Sequence, residues 1–332
     1  MFRLLGNREV PAVGLGCMGM SEFYGAADEA TSLQTLNEAF NLGYRHFDTA
    51  DMYGFGHNET LVGKFINQEN INREELFIST KGGIVRDVND KYNVSVNSTE
   101  QYIRAACEAS LKRLNTEYVD LYYLHRLDPA IELEESIGTL KALVKEGKIK
   151  NIGLCEVSED QLAKAHQIHP VAAVQSELSL WSRDSEQGVL PLCVELGVAF
   201  VAFSPLGRGF LSGSIDKSFM AGVSDDLDFR KRLPRFSEDN IDSNMQLVEK
   251  LKGVAERLQA PVSQVALAWV LAKAPNVHII PGSKTPKYLK NNFDSRLLSL
   301  EPNVVEELNT IFSPDAVVGS RYPQKILEKS SA

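Results

Sequence analysis

The chain has few cysteines and no long hydrophobic run. Its four cysteines, Cys17, Cys107, Cys155 and Cys193, are scattered and form no C-x-x-C pair, which indicates free thiols rather than a disulfide framework or a metal site. No stretch approaches the roughly 18 unbroken apolar residues that a membrane-spanning helix needs. The N-terminal segment MFRLLGNREVP lacks the apolar region of a signal peptide. These absences predict a cytoplasmic protein that does not enter a membrane.

The acidic charge balance narrows the classes of partner. The chain carries a formal net charge of −9 over 332 residues. An acidic surface repels the phosphate backbone of nucleic acids and anionic lipid head groups, so we expect neither as a partner. A local basic patch can still bind one small anionic ligand. The histidines His57, His166, His169 and His278 show no metal-ligand spacing, and we predict no metal site.

Eight short apolar runs are typical of buried β-strands. They lie at residues 12–16, 44–49, 76–81, 119–125, 149–155, 171–176, 198–204 and 277–282. Each run is almost continuous in apolar or β-branched residues, which is the pattern of parallel strands covered on both faces. Half-solvated antiparallel strands would alternate between apolar and polar residues.

Helical patterns fill the intervals between these runs. Glycines that end apolar stripes of helical period stand at Gly43, Gly147 and Gly197. Capping-box pairs that begin helices are Ser98 with Gln101 and Ser158 with Gln161, and Pro286 follows Thr285 at the start of the last barrel helix. Strand and helix therefore alternate along the whole chain.

This alternation predicts a single (β/α)8 TIM barrel, because eight repeats favour closure of a parallel sheet. The alternative is an open doubly wound sheet, which normally has a glycine-rich phosphate loop that opens a helix after the first strand. The nearest candidate, GLGCMGM at residues 14–20, continues instead into a loop up to residue 27. The longest irregular region, residues 206–240, follows the seventh strand, and loops of that length usually have a function such as a lid or a binding loop.

Titratable residues stand at the ends of three consecutive predicted strands. The second, third and fourth strands end at Asp48, Lys81 and His125, and Tyr53 lies in the loop just after Asp48. Active sites of such barrels gather at the C-terminal ends of the strands. A nearby ammonium would lower the pKa of a phenol from its ordinary value of about 10. We predict that Lys81 does this for Tyr53, that Asp48 holds Lys81, and that His125 orients a substrate oxygen.

Anion-binding features follow the seventh and eighth strands. The loop SPLGRGFLSGS at residues 204–214 combines glycines with Arg208, and Lys217 follows it. Backbone N–H groups of such loops can approach an anion closely. The segment IPGSKTPKYLKNN at residues 280–292 places hydroxyls and the lysines Lys284 and Lys287 at a helix N-terminus, which is typical of a phosphate site. Two such loops fit a dinucleotide, and the lysines favour NADPH over NADH.

The ordered set of motifs resembles the aldo-keto reductase superfamily, in particular the bacterial, yeast and plant reductases. The motifs are DTADMYG, TKGG, YYLHR, GLCEVS, VQSELSLW, SPLGRGFLSG and IPGSKTPKYLKNN, and they span residues from about 15 to 292. The resemblance implies one domain over residues 1–332. Within it, residues 1–11 would form a hairpin with a Gly6-Asn7 turn at the barrel base, residues 12–293 the barrel, and residues 294–332 a C-terminal helix and tail.

The resemblance also implies a catalytic tetrad of Asp48, Tyr53, Lys81 and His125, with Tyr53 as the general acid of NADPH-dependent aldehyde or ketone reduction. The implied cofactor-binding residues are Cys155, Glu156, Gln175, Ser204, Pro205, Leu206, Gly207, Arg208, Gly209, Leu211, Gly282, Ser283, Lys284, Lys287, Asn291 and Asn292. Among these, Gln175 would contact the nicotinamide carboxamide. The implied substrate-binding residues are Tyr24, Met52, His125, Arg126 and Trp181.

Two positions depart from the family pattern. Many relatives have Ser-Asn after the fifth strand, where this chain has Cys155 and Glu156; a thiol is a poorer hydrogen-bond partner, and an ionised carboxylate can only accept. Many relatives also have an arginine for the 2′-phosphate of NADPH where this chain has Tyr288. Lys284 or Lys287 would then take over that contact.

Two other functions fit parts of the pattern. A barrel lyase or isomerase could use Lys81 as a Schiff-base nucleophile, although a lysine paired with Asp48 stays protonated and is a poor nucleophile. A regulatory subunit could bind NADPH without turnover. For the reductase, an aromatic and apolar rim suggests small aldehydes or ketones, pyridoxal among them. No sequence feature specifies the oligomeric state.

Overall fold

The computed structural model describes residues 1–87, 89–90, 92–224 and 228–323. The strands in chain order are β1 (Phe2–Leu5), β2 (Arg8–Pro11), β3 (Leu15–Gly16), β4 (His46–Asp48), β5 (Phe77–Gly82), β6 (Ile84–Arg86), β7 (Val94–Val96), β8 (Leu121–Leu124), β9 (Ile152–Cys155), β10 (Ala173–Glu177), β11 (Ala199–Phe203) and β12 (Val277–Ile279). Eight of them form one parallel sheet in the order β3-β4-β5-β8-β9-β10-β11-β12. All eight predicted strands are therefore present.

The two edges of this sheet meet through parallel bridges. Val13 pairs with Ile279 and Gly16 with Gly282, and the Gly14 N–H donates to the Ile279 carbonyl at 2.9 Å. The first and eighth strands are thus neighbours, and the sheet curls into a (β/α)8 barrel. The predicted fold class is confirmed, and the open doubly wound alternative is wrong.

Helices α1 to α6 connect the strands of the first part of the barrel. The α-helices are α1 (Glu29–Leu42), α2 (His57–Ile66), α3 (Glu100–Leu114), α4 (Leu133–Lys145), α5 (Glu159–Ile168), α6 (Val189–Leu196), α7 (Lys217–Gly222), α8 (Glu238–Arg257), α9 (Val262–Leu271), α10 (Leu289–Asp294) and α11 (Pro302–Ile311). Gly43 and Gly197 end α1 and α6 in the left-handed conformation, as predicted. Within the described residues, no helix is both long enough and apolar enough to cross a membrane.

Helix caps confirm one predicted capping box and correct the other. Ser158 and Gln161 form the reciprocal pair at the start of α5. At α3, however, the N-cap is Thr99, whose hydroxyl accepts from the Tyr102 N–H at 3.3 Å. The hydroxyl of Ser98 is buried and accepts instead from the Ser136 hydroxyl at 3.0 Å and from the Asp128 N–H at 3.3 Å, so both of its acceptor positions are used away from the helix.

A hairpin closes the base of the barrel. Strands β1 and β2 pair antiparallel around Gly6, which has a φ of +59°. His278 Nε2 lies 3.1 Å from the Leu4 carbonyl, and Leu5 and Val10 belong to the buried cluster inside the barrel. The hairpin thus covers the end opposite to the C-terminal ends of the strands.

Inward-facing side chains change from apolar at the base to polar at the mouth. Alternate residues of a strand share one face of a sheet. On β5, Phe77 lies in the interior cluster, and Lys81 is four residues further along the same face. On β8, Tyr123 lies in that cluster, and His125 follows two residues later. The strand period therefore delivers titratable groups to the mouth of the barrel.

The long segment after β11 contains more regular structure than the sequence indicates. It holds α7 and short 3-10 helices at Phe210–Ser212, Phe229–Arg232 and Pro234–Phe236. Asp228 forms an antiparallel bridge with Tyr24, and the Phe229 N–H donates to the Phe23 carbonyl at 2.9 Å. The segment therefore joins the loop that follows β3.

The described part of the C-terminal tail returns to the mouth of the barrel. After α11, the Val318 N–H donates to the Asn244 side chain at 2.9 Å. Arg321 then reaches Glu156 at the end of β9, with Nη2 and Oε2 2.6 Å apart. Residues 324–332 of the predicted tail lie outside the described residues.

Candidate active site

Four side chains from the loops and strand ends converge at the mouth. Lys81 Nζ forms a short ion pair with Asp48 Oδ1 and donates to the Thr49 carbonyl at 2.8 Å. The same nitrogen lies 3.4 Å from the hydroxyl of Tyr53. The rings of Tyr53 and His125 meet edge to face, with their centroids 5.9 Å apart. The residues selected from the sequence are thus brought together.

The ion pair lies in the interior. Lys81 is fully buried, and Asp48 is only 2% exposed. Burial alone would lower the pKa of Lys81, but the negative charge of Asp48, with further contributions from Tyr53 and Cys155, raises it above its ordinary value. Lys81 is therefore a permanent cation at neutral pH.

Tyr53 is a neutral phenol in this environment. Burial raises its pKa above the ordinary value, and the charge of Lys81 opposes that effect without overcoming it. This corrects the predicted net lowering of the pKa, because the sequence alone does not show that the hydroxyl is enclosed. A neutral phenol retains the proton that a general acid must donate.

His125 is a neutral imidazole. Burial, followed by the charges of Lys81 and Arg126, lowers its pKa well below the ordinary value. Its Nδ1 atom is enclosed and has no hydrogen-bond partner among the described residues. The neutral ring can donate one N–H to a substrate oxygen, so it can orient that oxygen without placing a positive charge beside it.

The second oxygen of Asp48 is held from two sides. Gln175 Nε2 donates to Asp48 Oδ2 at 2.8 Å, and the Ser79 hydroxyl donates to the same oxygen at 3.3 Å. His46 Nε2 lies 2.6 Å from the Ser79 oxygen. Burial lowers the pKa of His46 to about 3, so its ring carries one proton, which must sit on Nε2 when Ser79 donates to Asp48. Gln175, which is predicted to contact the nicotinamide, thus already uses its amide nitrogen to bind Asp48.

Asp51 lies in a second acidic environment beside the site. Its N–H donates to the Lys81 carbonyl at 3.1 Å. Its Oδ1 atom is enclosed, with no hydrogen-bond partner among the described residues, although the residue as a whole keeps some exposure. Burial, followed by the charge of the buried Glu59, raises the pKa of Asp51 to about 7. The folded protein therefore holds a proton on Asp51 that the unfolded chain releases near pH 4.

The Asp51→Asn variant should gain stability relative to wild type as the pH rises. Wild type loses stability between about pH 4 and pH 7, because only the folded state is protonated there, and the loss is constant above pH 7. Asparagine does not titrate. We expect the difference in the free energy of unfolding, measured by urea titration, to shift in favour of the variant by at least about 1 kcal/mol between pH 4.5 and pH 8. A pH-independent difference would contradict this assignment.

Glu156 is occupied by contacts within the protein. Its Oε1 accepts from the Glu177 N–H at 2.8 Å, and its Oε2 accepts from Arg321. Burial alone would raise its pKa, but the charges of Arg321 and Arg126 lower it below the ordinary value. Glu156 is thus an ionised anchor for the tail. Its neighbour Cys155 is a buried thiol, and burial raises its pKa to about 12.

The loop after β11 has the backbone form of an anion-binding loop. Ser204, Gly207, Arg208 and Gly209 all have positive φ. A Cβ atom on Gly207 would lie 2.4 Å from Trp181 Nε1, so only glycine fits there. The guanidinium of Arg208 points away from solvent, donates to Tyr322 Oη at 2.7 Å, and lies 3.6 Å from Glu177. Its charge is therefore already paired.

The segment after β12 has one engaged and one exposed lysine. Lys284 Nζ donates to the carbonyls of Tyr24 and Ala26, whereas Lys287 is exposed and has no carboxylate within 4.0 Å among the described residues. The Ser283 hydroxyl is buried and donates to the Thr285 carbonyl at 2.7 Å. Farther along, the side chain of Asn291 is hydrogen-bonded to Gln264 and Ser263, and Asn292 is buried.

The predicted substrate residues occupy different environments. The guanidinium carbon of Arg230 lies over the ring of Tyr24, 5.3 Å from the ring centroid. Trp181 is 4% exposed and stacks on Phe210 at 4.6 Å, so it supports the loop after β11. Met52 is half-buried, and its carbonyl accepts from Arg86. Arg126 is half-buried directly after His125.

Several residues of the site escape the sequence analysis. Ser79 and His46 support Asp48, whereas Glu177, Arg321 and Tyr322 connect the tail to the mouth. The alternation on β4 and β5 could have identified the first two, because His46 and Ser79 each precede a tetrad residue by two positions. No local signal marks the other three, since their partners are distant in sequence.

At the mouth of the (β/α)8 barrel, a buried ammonium–carboxylate pair lies beside a phenol, and the phenol contacts an imidazole. This arrangement is typical of an enzyme that transfers protons in an enclosed site. Comparison with known proteins agrees. The model of the aldo/keto reductase family matches residues 12–312. The chain therefore belongs to the aldo/keto reductase family and is an oxidoreductase.

Individual relatives resemble nearly the whole chain. A probable aldo-keto reductase 1 of Glycine max is 42% identical over 95% of this chain and 89% of its own length. An aldo-keto reductase of Schizosaccharomyces pombe, whose name gives NADP(+) as its cofactor, is 38% identical over 97% and 94%. The solved structure of a glycerol dehydrogenase of Gluconobacter oxydans superposes with a TM-score of 0.85 at 26% identity, covering 97% of this chain and 99% of that one.

Proposed function

We propose that the protein reduces aldehydes or ketones to alcohols with NADPH, and that Tyr53 is the proton donor. The observation that carries the proposal is the position of the Tyr53 hydroxyl, 3.4 Å from the buried ammonium of Lys81 and beside the ring of His125. Membership of the aldo/keto reductase family supports carbonyl chemistry, and the NADP(+)-named relative supports the cofactor.

The residues around the mouth fit a dinucleotide phosphate. The backbone of the loop after β11, with Gly207 packed on Trp181, suits close approach of a pyrophosphate. The exposed ammonium of Lys287 suits the additional 2′-phosphate of NADPH. Gln175 stands near Asp48 in the centre of the mouth and can meet the nicotinamide amide with its carbonyl oxygen. NADPH, when bound there, supplies the hydride that attacks the carbonyl carbon of the substrate.

The chain itself supplies the proton and the electrostatic environment. As negative charge develops on the substrate oxygen, Tyr53 transfers its hydroxyl proton to that oxygen. Lys81 stabilises the resulting phenolate, and Asp48 keeps Lys81 charged and in place. His125, which is neutral, donates an N–H to the same substrate oxygen and orients it. Solvent returns a proton to Tyr53 after the alcohol leaves.

The two other functions receive less support. A Schiff base requires a neutral amine, whereas Asp48 holds Lys81 in the charged form. A purely regulatory subunit would not need the ion pair of Lys81 with Asp48 beside Tyr53 and His125, and this chain has all four residues in contact. We therefore retain reduction as the single proposed function.

A panel of aldehydes and ketones, assayed with NADPH and NADH side by side, tests the proposal. We expect oxidation of NADPH that depends on the carbonyl substrate, with a higher kcat/KM for NADPH than for NADH. Tight binding of NADPH with no turnover on the whole panel would instead indicate a regulatory subunit. Borohydride trapping of an adduct on Lys81 would indicate the Schiff-base enzyme.

The Lys287→Ala variant should weaken NADPH binding and leave NADH binding unchanged, because only NADPH carries the 2′-phosphate. We expect an increase of about tenfold in the Kd of NADPH, the size of one charge-assisted hydrogen bond. Fluorescence titration of both cofactors measures it. Lys290→Ala is the matched control, since Lys290 is an exposed lysine nearby that is paired with Asp294. Equal effects of the two variants would remove Lys287 from the cofactor site.

A further inference from the structure

Arg126 places a positive charge on the side of the mouth away from the proposed phosphate loops. It directly follows His125 at the end of β8. In the closed ring of eight strands, β8 is the fourth and lies opposite β12, the eighth. The loops with phosphate-binding character follow β11 and β12. The charge of Arg126 therefore has no evident role toward the phosphates of a dinucleotide.

The guanidinium of Arg126 has no acidic partner among the described residues, in contrast to three other arginines near the mouth. Arg208, Arg230 and Arg321 form ion pairs with Glu177, Asp228 and Glu156. Arg126 is half-buried, and its Nη1 donates only to the carbonyl of His125, at 2.8 Å. Among the residues that the structure describes, no carboxylate lies within 4.0 Å of it, and its Nε and Nη2 have no hydrogen-bond partner.

The nearest acid cannot fill this role. Arg126 influences Glu156 electrostatically, but one oxygen of Glu156 accepts from the Glu177 N–H and the other from Arg321. A half-buried guanidinium without a counter-ion is unfavourable compared with one that pairs with a carboxylate. The guanidinium of Arg126 is thus available to bind a carboxylate of a ligand.

The charge also acts within reach of the reaction site. Burial and the charge of Lys81 lower the pKa of His125, and the charge of Arg126 lowers it further. His125 is the residue that orients the substrate oxygen in the proposed reaction. A ligand group bound to Arg126 would hence lie a short distance from the carbonyl that His125 orients. A planar guanidinium binds a carboxylate through two parallel hydrogen bonds, which fixes both distance and direction.

We propose that Arg126 binds a carboxylate group of the substrate, and that the preferred substrates are aldehydes or ketones that carry such a group. This inference rests on the proposed reductase function and names the substrate class of the same site. Binding at Arg126 anchors the acid end of the substrate while His125 and Tyr53 receive its carbonyl oxygen. The remote anchor lowers the entropic cost of reaching the reactive geometry.

The 2-, 3- and 4-carboxybenzaldehydes and their methyl esters provide the test, since each pair differs in charge but shares the same aldehyde. With saturating NADPH at pH 7, we expect the best carboxylate isomer to exceed its own ester in kcat/KM by about tenfold or more. Arg126→Gln should bring that ratio close to one, and Arg126→Lys should keep part of it. Arg104→Gln, which removes the same charge from the outer side of α3, should keep the wild-type ratio.

A binding experiment separates this inference from the proposed function. Benzoate, but not benzamide, should bind to the wild-type complex with NADP(+) in calorimetry, and Arg126→Gln should abolish that binding. A wild-type ratio at or below one for all three pairs, or a ratio that Arg126→Gln leaves unchanged, overturns the inference while neutral aldehydes are still reduced. If no aldehyde is reduced, the reductase proposal fails, and benzoate binding alone decides whether Arg126 is an anion site.

Discussion

The Tyr53→Phe variant should lose nearly all carbonyl reduction while it continues to bind NADPH. The substitution removes the hydroxyl that lies 3.4 Å from Lys81 Nζ and leaves the ring in its edge-to-face contact with His125. General acid catalysis typically contributes 10²–10⁴-fold, so we expect kcat to fall by about 10³-fold, about 4 kcal/mol in the barrier. Steady-state kinetics with one well-reduced aldehyde, together with fluorescence titration of NADPH, measure both quantities.

Tyr24→Phe is a useful control for this variant. Tyr24 is also a tyrosine of the mouth, but its hydroxyl accepts a long hydrogen bond from Arg208 at 3.4 Å and does not contact Lys81. We expect a much smaller loss of kcat than for Tyr53→Phe. A Tyr53→Phe enzyme that works at the wild-type rate, or a loss of NADPH binding equal to the loss of rate, would contradict the assigned role of Tyr53.

The Lys81→Met variant should be both inactive and strongly destabilised. Methionine has a similar length but no charge, so Asp48 would remain buried without its cation. Removing one partner of a buried ion pair typically costs about 3–5 kcal/mol. We expect a loss of that order in the free energy of unfolding by urea titration, and a loss of activity comparable to that of Tyr53→Phe.

The double variant Lys81→Met/Asp48→Asn separates stability from catalysis. Asparagine removes the uncompensated charge and can still accept from Gln175, so most of the lost stability should return. Activity should not return, because no cation remains beside Tyr53. A stable Lys81→Met single variant would disprove the buried pair as described, and an active double variant would show that reduction does not need Lys81.

The sequence predicts the barrel because its strands are covered on both faces. Continuous apolar runs such as residues 198–204 and 171–176 mark β11 and β10 within one or two residues. The end of β12 is less accurate, since the run at residues 277–282 extends beyond Val277–Ile279. Hydrophobicity marks burial, whereas hydrogen-bond pairing with neighbouring strands sets the ends of a strand. The N-cap of α3 is likewise set by a contact distant in sequence. Ser136 in α4 donates to Ser98, and Thr99 caps α3 instead.

The site divides into a part that local sequence predicts and a part that it does not. Asp48, Lys81 and His125 can be predicted because each stands at the C-terminal end of a predicted buried strand. The ionic contacts of Glu156 with Arg321 join residues 165 positions apart. No short motif carries that information. The raised pKa of Tyr53 is likewise a property of its enclosure in the folded chain.

The transfer of deuterium from NADPH to the product alcohol is the most direct test of hydride transfer coupled to proton donation by Tyr53. NADPH that carries deuterium at both C4 positions is mixed with an aldehyde and the enzyme, and the alcohol is analysed by mass spectrometry. We predict one deuterium on the carbinol carbon of each alcohol formed by wild type, and almost no alcohol from Tyr53→Phe with the same bound cofactor. Alcohol without deuterium, or equal yields from the two proteins, would contradict hydride transfer from NADPH coupled to proton donation by Tyr53.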